Sequence, residues 1–203
     1  MIIGITGYKR SGKDTAAKYL AENYGTKDEG TFLSLVFGFH TYHFADPLKR
    51  ALETIYGWDK GIWDSPEKEE IDPYWGVSPR QAAQILGTEW SILLGDTFPE
   101  YKRVTGRKTY LKAFLRHVEE HPDWNFIVPD MRFEYEADAI RFLGGSVLRI
   151  RRPEVEQSSD AHASEKEYLT LFADAEYVND GSLDELYEFL DMYAKILGLE
   201  SIK

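Results

Sequence analysis

Short, solidly apolar runs alternate along the chain with segments in which apolar residues recur every three or four positions. Met1–Thr6, Trp124–Val128 and Ser146–Ile150 belong to the first kind and predict buried strands, with a last strand at Glu176–Val178. A glycine-flanked apolar stretch, Thr31–Phe39, precedes a further expected strand at Thr41–Ala45, which ends at Asp46-Pro47. The second kind begins at Thr15–Tyr24, where Ala16, Ala17, Tyr19, Leu20 and Tyr24 fall at helical spacing. Leu48–Tyr56, Thr109–Glu120 and Glu134–Leu143 read the same way. Ser78-Pro79 supplies an N-cap and a first-turn proline for a helix through about Leu94. Ser182 caps a final helix to about Leu197, after an Asn179-Asp180-Gly181 turn. Between Gly57 and Val77 the chain is rich in Trp, Pro and acid, including Trp58, Trp63 and Trp75, and reads as an irregular excursion outside the sheet. Strands alternating with helices predict an α/β fold, a parallel sheet with helices on both faces and ligands bound beyond the carboxyl ends of the strands.

The first strand runs directly into Gly7, four further residues and then Gly12-Lys13. This is the spacing of a phosphate-binding P-loop, in which glycines let backbone N–H groups curl around phosphate oxygens and the lysine neutralises the terminal phosphates. The helix that follows points its N-terminus at the anion. Strand, loop, lysine and helix are all in place, which sets the motif well above a glycine-rich turn between two core elements. Asp14 stands where Ser or Thr usually follows the lysine. Either its carboxylate serves Mg²⁺, directly or through water, or Thr15 reaches the phosphates instead. Asp46 and Asp130, at the ends of expected strands, converge on the same edge of the sheet. Asp130 suits orientation of hydrated Mg²⁺ or pairing with an arginine, against a plain helix N-cap, and Asp46 admits the same N-cap reading.

Charge and composition narrow the partners. With 203 residues, 43% hydrophobic, the chain can bury one sizeable core and a small appended lobe. Thirty-five acidic against 24 basic residues give a net charge of −11, which repels a polyanion and argues against nucleic acid as a partner. Phosphate binding therefore requires the few Lys and Arg to be focused in one cleft. The absence of cysteine excludes a disulfide framework, a thiolate nucleophile and cysteine metal sites. Met1–Ile5 is too short for a signal sequence and no run approaches a bilayer span, so no membrane partner is expected and the cytoplasm is the default location. Arg149 and Arg151 alternate along a strand and share one direction, with Arg152 facing the other.

GYKRSGKDT at Gly7–Thr15, FADPLKRAL at Phe44–Leu52, SPRQAAQILGTEW at Ser78–Trp90, IVPDMRFEYEADAIR at Ile127–Arg141, SVLRIRRP at Ser146–Pro153 and VNDGSLDEL at Val178–Leu186 together resemble phage-type deoxynucleoside monophosphate kinases. The blocks occur in order and span most of the chain. The resemblance implies a three-layer P-loop kinase fold over residues 1–203, with a helical acceptor-binding insertion at 46–122 and a short lid at 153–166. It implies transfer of the ATP γ-phosphoryl group to a deoxynucleoside 5′-monophosphate with Mg²⁺, and it allows a homodimer.

By that resemblance Lys13, Arg10, Arg132 and Asp130 do the chemistry. Gly7, Arg10, Ser11, Gly12, Lys13, Asp14, Thr15 and Arg152 hold the ATP phosphates, and Asp14 and Asp130 serve the metal. Lys9, Asp46, Lys49, Trp75, Arg80, Gln84, Thr88, Trp90, Arg132 and Glu136 face the acceptor. A first-turn arginine such as Arg80 opposes the helix dipole, which hints at use. Glu134 and Glu136 suit positioning of the Arg132 fork, contact with the sugar or simple helix starting. Trp75 and Trp90 suit base stacking as well as lobe packing. Ser158–Glu165, with His162, reads as the lid. Family members commonly continue TEW with Gly-Arg, where Ser91-Ile92 stands here, so one acceptor cation is either missing or supplied by Arg103 or Arg107. The competing readings are another small-molecule P-loop kinase, of phosphomevalonate or dephospho-coenzyme A type, and a non-catalytic nucleotide-binding protein. The first has no use for PRQ…LGTE, and the second has none for a second anion pocket built on Arg80 and Arg132.

Overall fold

The computed structural model describes residues 1–27, 36–104, 108–156 and 167–202. Strands β1 (Ile2–Thr6), β2 (Tyr24–Lys27), β3 (Val36–Thr41), β4 (Asn125–Val128), β5 (Ser146–Arg151), β6 (Ala175–Val178) and β7 (Glu200–Ser201) form one sheet in the order β6-β5-β1-β4-β3-β2-β7. The helices are α1 (Lys13–Asn23), α2 (Asp46–Tyr56), α3 (Pro79–Gln84), α4 (Trp90–Thr97), α5 (Pro99–Val104), α6 (Thr109–Glu120), α7 (Glu134–Phe142), α8 (Pro153–Glu156), α9 (Glu167–Thr170) and α10 (Leu183–Ile196). Two compact units result, one of Met1–His43 with His121–Lys203 and one of Phe44–Glu120, the segment that contains the excursion.

In the first unit β1 is buried at all five positions because both faces of the sheet are covered. Ile3 and Ile5 enter a core with Ala16, Ala17 and Leu20 of α1 and Leu186, Leu190 and Ala194 of α10. Gly4, pointing the other way as the two-residue period requires, faces α7, where an added Cβ would lie 2.6 Å from Ile140 Cδ1. The five strands β6-β5-β1-β4-β3 are parallel, as expected, with Gly4 opposite Val128 of β4 and Val147 of β5.

The sheet departs from expectation at one edge. β3 occupies Val36–Thr41, earlier than the strand expected at Thr41–Ala45, because its ladder with β4 runs from Phe39 opposite Asn125 to Thr41 opposite Ile127 and is then exhausted. Ala45 already caps α2. β2 and β7, which the apolar pattern did not announce, add an antiparallel extension beyond β3. Buried Asn125 ties this edge together, its amide nitrogen donating to Thr26 Oγ1 and to the Phe37 carbonyl, each at 2.8 Å.

The second unit packs Leu48 and Leu52 of α2 against Trp63 and Ala82. The Gly57–Val77 excursion contains two 3₁₀ turns, at Lys60–Asp64 and Pro66–Glu69. Its tryptophans anchor it: Trp63 Nε1 donates to Glu53 at 2.6 Å, Trp58 Nε1 to Asp72 at 2.7 Å, and the Trp58 ring stacks on Tyr56. Ser78 and Gln81 form a reciprocal capping box at the start of α3. The single helix expected to about Leu94 is interrupted by a π-turn at Ile85–Glu89 and continues as α4 to Thr97. Among the described residues no helix is long and apolar enough to cross a membrane.

Candidate active site

The loop after β1 is shaped by two glycines that no other residue replaces. Gly7 has φ 151°, and an added Cβ would collide with the backbone oxygen of Ile150, the carbonyl of a neighbouring strand. Gly12, the N-cap of α1, has φ 104°, and its Cβ would sit 2.6 Å from Asn179 Nδ2. Between them Ser11 N–H donates to the Tyr8 carbonyl at 3.1 Å, and Arg10 adopts the left-handed region at φ 65°. The loop's outer wall is Asn179, whose amide donates to the Ser11 carbonyl at 2.8 Å and whose backbone N–H donates to Arg151 at 2.7 Å.

Lys13 folds back over this loop, with Nζ donating to the Tyr8 carbonyl at 2.7 Å. Ser11 is fully buried, whereas Lys9, Arg10, Asp14 and Thr15 are exposed. Asp14 lies in the first turn of α1, where a carboxylate is favoured by the helix dipole. The arrangement gathers backbone N–H groups, a helix N-terminus and an ammonium group around one anion position.

Parallel pairing of β1 with β4 brings the turn after Val128 to the same edge of the sheet. Half-buried Asp130 and exposed Arg132 are on that turn. Phe133, not Asp130, holds the N-cap position of α7. Two side chains hold the turn. Thr6 Oγ1 donates to the Met131 carbonyl at 2.9 Å, and Glu136 Oε2 accepts from the backbone N–H groups of Arg132 at 2.8 Å and Phe133 at 3.0 Å. Glu136, expected at the acceptor, is only 5% exposed and spends this oxygen on the backbone. Burial pushes its carboxyl up to about 7, with the Asp130 charge adding to the rise and the two N–H donors opposing it. Glu134 is used structurally, 3.6 Å from Arg141 Nη1.

The family model for deoxynucleotide monophosphate kinase matches residues 67–190. A putative deoxynucleotide monophosphate kinase of Acanthamoeba polyphaga mimivirus is 32% identical over 195 residues, 92% of each chain. The chain belongs to the deoxynucleotide monophosphate kinase family. The deoxynucleotide monophosphate kinase of Enterobacteria phage T4 is 25% identical, covering 97% of this chain and 99% of that one. A shikimate kinase from Aquifex aeolicus is similar at TM-score 0.43 and 14% identity, over 98% of this chain and 99% of that one, too loosely to bear on function.

The other cations of this kinase fall into two groups. On β5 the alternation holds, since Arg149 and Arg151 both reach Glu176 of β6, at 2.7 and 3.8 Å, and Arg151 also pairs with Glu156 at 2.8 Å. Arg152, just beyond the end of β5, lies 3.5 Å from Glu154. In the second unit Arg80 is 3.7 Å from Glu69, and Lys49 Nζ is 5.9 Å from the centre of the Trp63 ring. Gln84 is exposed, and Asp46 opens α2 just after its cap, Ala45. Trp75 serves the lobe, donating from Nε1 to the Tyr56 carbonyl at 3.0 Å, and Trp90 meets Tyr101 edge-on while 40% exposed. The Thr88 and Arg103 side chains, Arg107 and the Ser158–Glu165 segment with His162 lie outside the described residues. Thr6 and Asn179 were missed, because neither a strand-end threonine nor an Asn-Asp-Gly turn carries a local mark of its distant partner.

Proposed function

We propose that this kinase transfers the γ-phosphoryl group of ATP to a deoxynucleoside 5′-monophosphate. The observation that supports it most directly is the shared edge of β1 and β4, where the glycine-shaped loop with Lys13 and the turn bearing Asp130 and Arg132 are brought together. The acceptor is itself a phosphate anion, so no strong general base is required; the task is to bring two polyanions into line. Lys13 leaves the Tyr8 carbonyl for the β- and γ-phosphates, while backbone N–H groups of the loop hold their oxygens. Arg132 grips the transferred or the accepting phosphate with its guanidinium fork, and Arg10 contributes a further charge from the rim. Within the second unit, Arg80, Lys49 and Gln84 are the side chains with the chemistry to bind the acceptor.

The oxygen donors at this edge, the carboxylates of Asp14 and Asp130 and the hydroxyl of Thr15, are of the hard kind that suits Mg²⁺. Bound with ATP, the ion neutralises charge on the β- and γ-oxygens. A coupled ADP-release assay with Mg-ATP against the four deoxynucleoside monophosphates tests the proposal, with ribonucleotides and phosphomevalonate alongside. Turnover of at least one deoxynucleotide is expected, falling roughly 10²-fold or more in Lys13→Ala, the scale of losing one transition-state donor. Turnover of phosphomevalonate alone overturns the reading.

A further inference from the structure

We propose that Thr6 is a positioning residue of this reaction, its hydroxyl latching the turn that carries Asp130 and Arg132 to the base of the phosphate-binding loop. The inference rests on the kinase reading above. Thr6 is the last residue of β1, immediately before Gly7, and is fully buried. A hydroxyl in such a place costs free energy unless it is bonded, and valine would fill the same volume without that cost. Its Oγ1 donates to the Met131 carbonyl at 2.9 Å, across 125 residues of sequence.

The need for this bond follows from the register. The β1–β4 ladder ends with Gly4 opposite Val128, so residues 129–133 lie beyond the sheet's own hydrogen bonds. Backbone groups of three consecutive residues in that turn are instead held by side chains, Met131 O by Thr6 and the Arg132 and Phe133 N–H groups by Glu136. Met131 is 1% exposed, with its Sδ packed against Gly4 of β1, 3.0 Å from where an added Cβ would lie. Arg132 is exposed, so its backbone is fixed while its guanidinium is left for an anion. One strand end therefore sets both halves of the anion site: Gly7 starts the loop for the donor phosphates, and the Thr6 hydroxyl fixes the origin of the Arg132 side chain. A displacement of about 1 Å in such a group costs on the order of 10²-fold in rate.

The test compares Thr6→Val, which keeps the shape, with Thr6→Ser, which keeps the hydroxyl. Thr6→Val is expected to lower kcat by about 10-fold to 10²-fold, with the Kd of a non-hydrolysable ATP analogue within about threefold of the parent, and Thr6→Ser to restore most of the rate. In an Arg132→Ala background Thr6→Val should add little, since the group it positions is gone. Amide hydrogen exchange at Arg132 and Phe133 should accelerate in Thr6→Val and not in Thr6→Ser. Parent-like kcat in Thr6→Val, or an equal loss with and without Arg132, overturns the inference while leaving the kinase reading intact. Unchanged exchange at these amides overturns it whatever the turnover. A parent protein that phosphorylates no deoxynucleotide defeats the kinase reading instead, and exchange still decides whether Thr6 holds the turn.

Discussion

The two units of this kinase are held together internally by different means. In the unit built on the sheet, the loop proposed to bind phosphate is shaped by backbone: Gly7 and Gly12 lie in conformations that disfavour a side chain, and the loop packs against Asn179 and the Ile150 carbonyl of β5. In Phe44–Glu120 one buried cluster is Leu48, Leu52, Trp63 and Ala82, Phe44 meets buried Phe114 edge-on, and tryptophan N–H groups tie the excursion down with side-chain hydrogen bonds. Triphosphate is the same in every donor nucleotide, so a cradle of backbone amides suits it. A nucleoside acceptor presents a sugar and a base, and under the proposed function these fall to aromatic and polar side chains.

The comparison breaks most severely at Gly7. Gly7→Ala forces a methyl group into the Ile150 carbonyl at a φ that alanine avoids, and a loss of about 3–5 kcal/mol in urea unfolding is expected, with ATP-analogue binding abolished. Leu52→Ala, at a position 2% exposed, should cost about 2–4 kcal/mol within the second unit. Its signature is a raised KM for the deoxynucleotide with ATP-analogue affinity near that of the parent, and an equal loss of both would show that the units do not divide the labour.

Glu136 sharpens the comparison through pH. A carboxyl raised to about 7 in the fold, above its ordinary value of 4.5, gives the native state the extra proton, so stability falls as pH rises through this window. Glu136→Gln keeps an oxygen for the Arg132 and Phe133 N–H groups and loses the charge. Its Tm should exceed that of the parent at pH 8, by an amount on the order of 2–3 kcal/mol in free energy, and match it near pH 4; a parallel pair of Tm–pH curves would refute the assignment. The smallest effect belongs to the surface of α1, where Lys18 and Glu22 lie 3.9 Å apart with side chains 74% and 59% exposed. Lys18→Ala should shift stability by less than about 0.5 kcal/mol, a change further reduced in 0.5 M NaCl.

Much of the fold is legible from local signals. The glycine spacing with an apolar strand before it located the P-loop, and Ser78 and Ser182 marked the starts of α3 and α10 through capping boxes that both form. Alternation placed Arg149 and Arg151 on one side of β5, where Glu176 receives both. The failures share a cause. β2 and β7 are short, carry little apolar alternation and exist because β3 offers a free edge, while the true end of β3 is decided by its ladder with β4. The π-turn within the α3–α4 run likewise has no period that distinguishes it from helix.

What the chain determined by itself is therefore whatever depends on neighbours within about one helical turn: strand or helix, cap or turn, and a loop whose glycines suit phosphate. What only the tertiary structure decided is which distant groups complete that loop. Asn179 lies 168 residues from Ser11 and Thr6 lies 125 from Met131, separations at which contact is set by strand order and register. Glu136 shows the same division within one residue: its place in the first turn of α7 is legible locally, but its burial, its raised pKa and its hold on Arg132 arise only when that turn is packed at the end of the sheet.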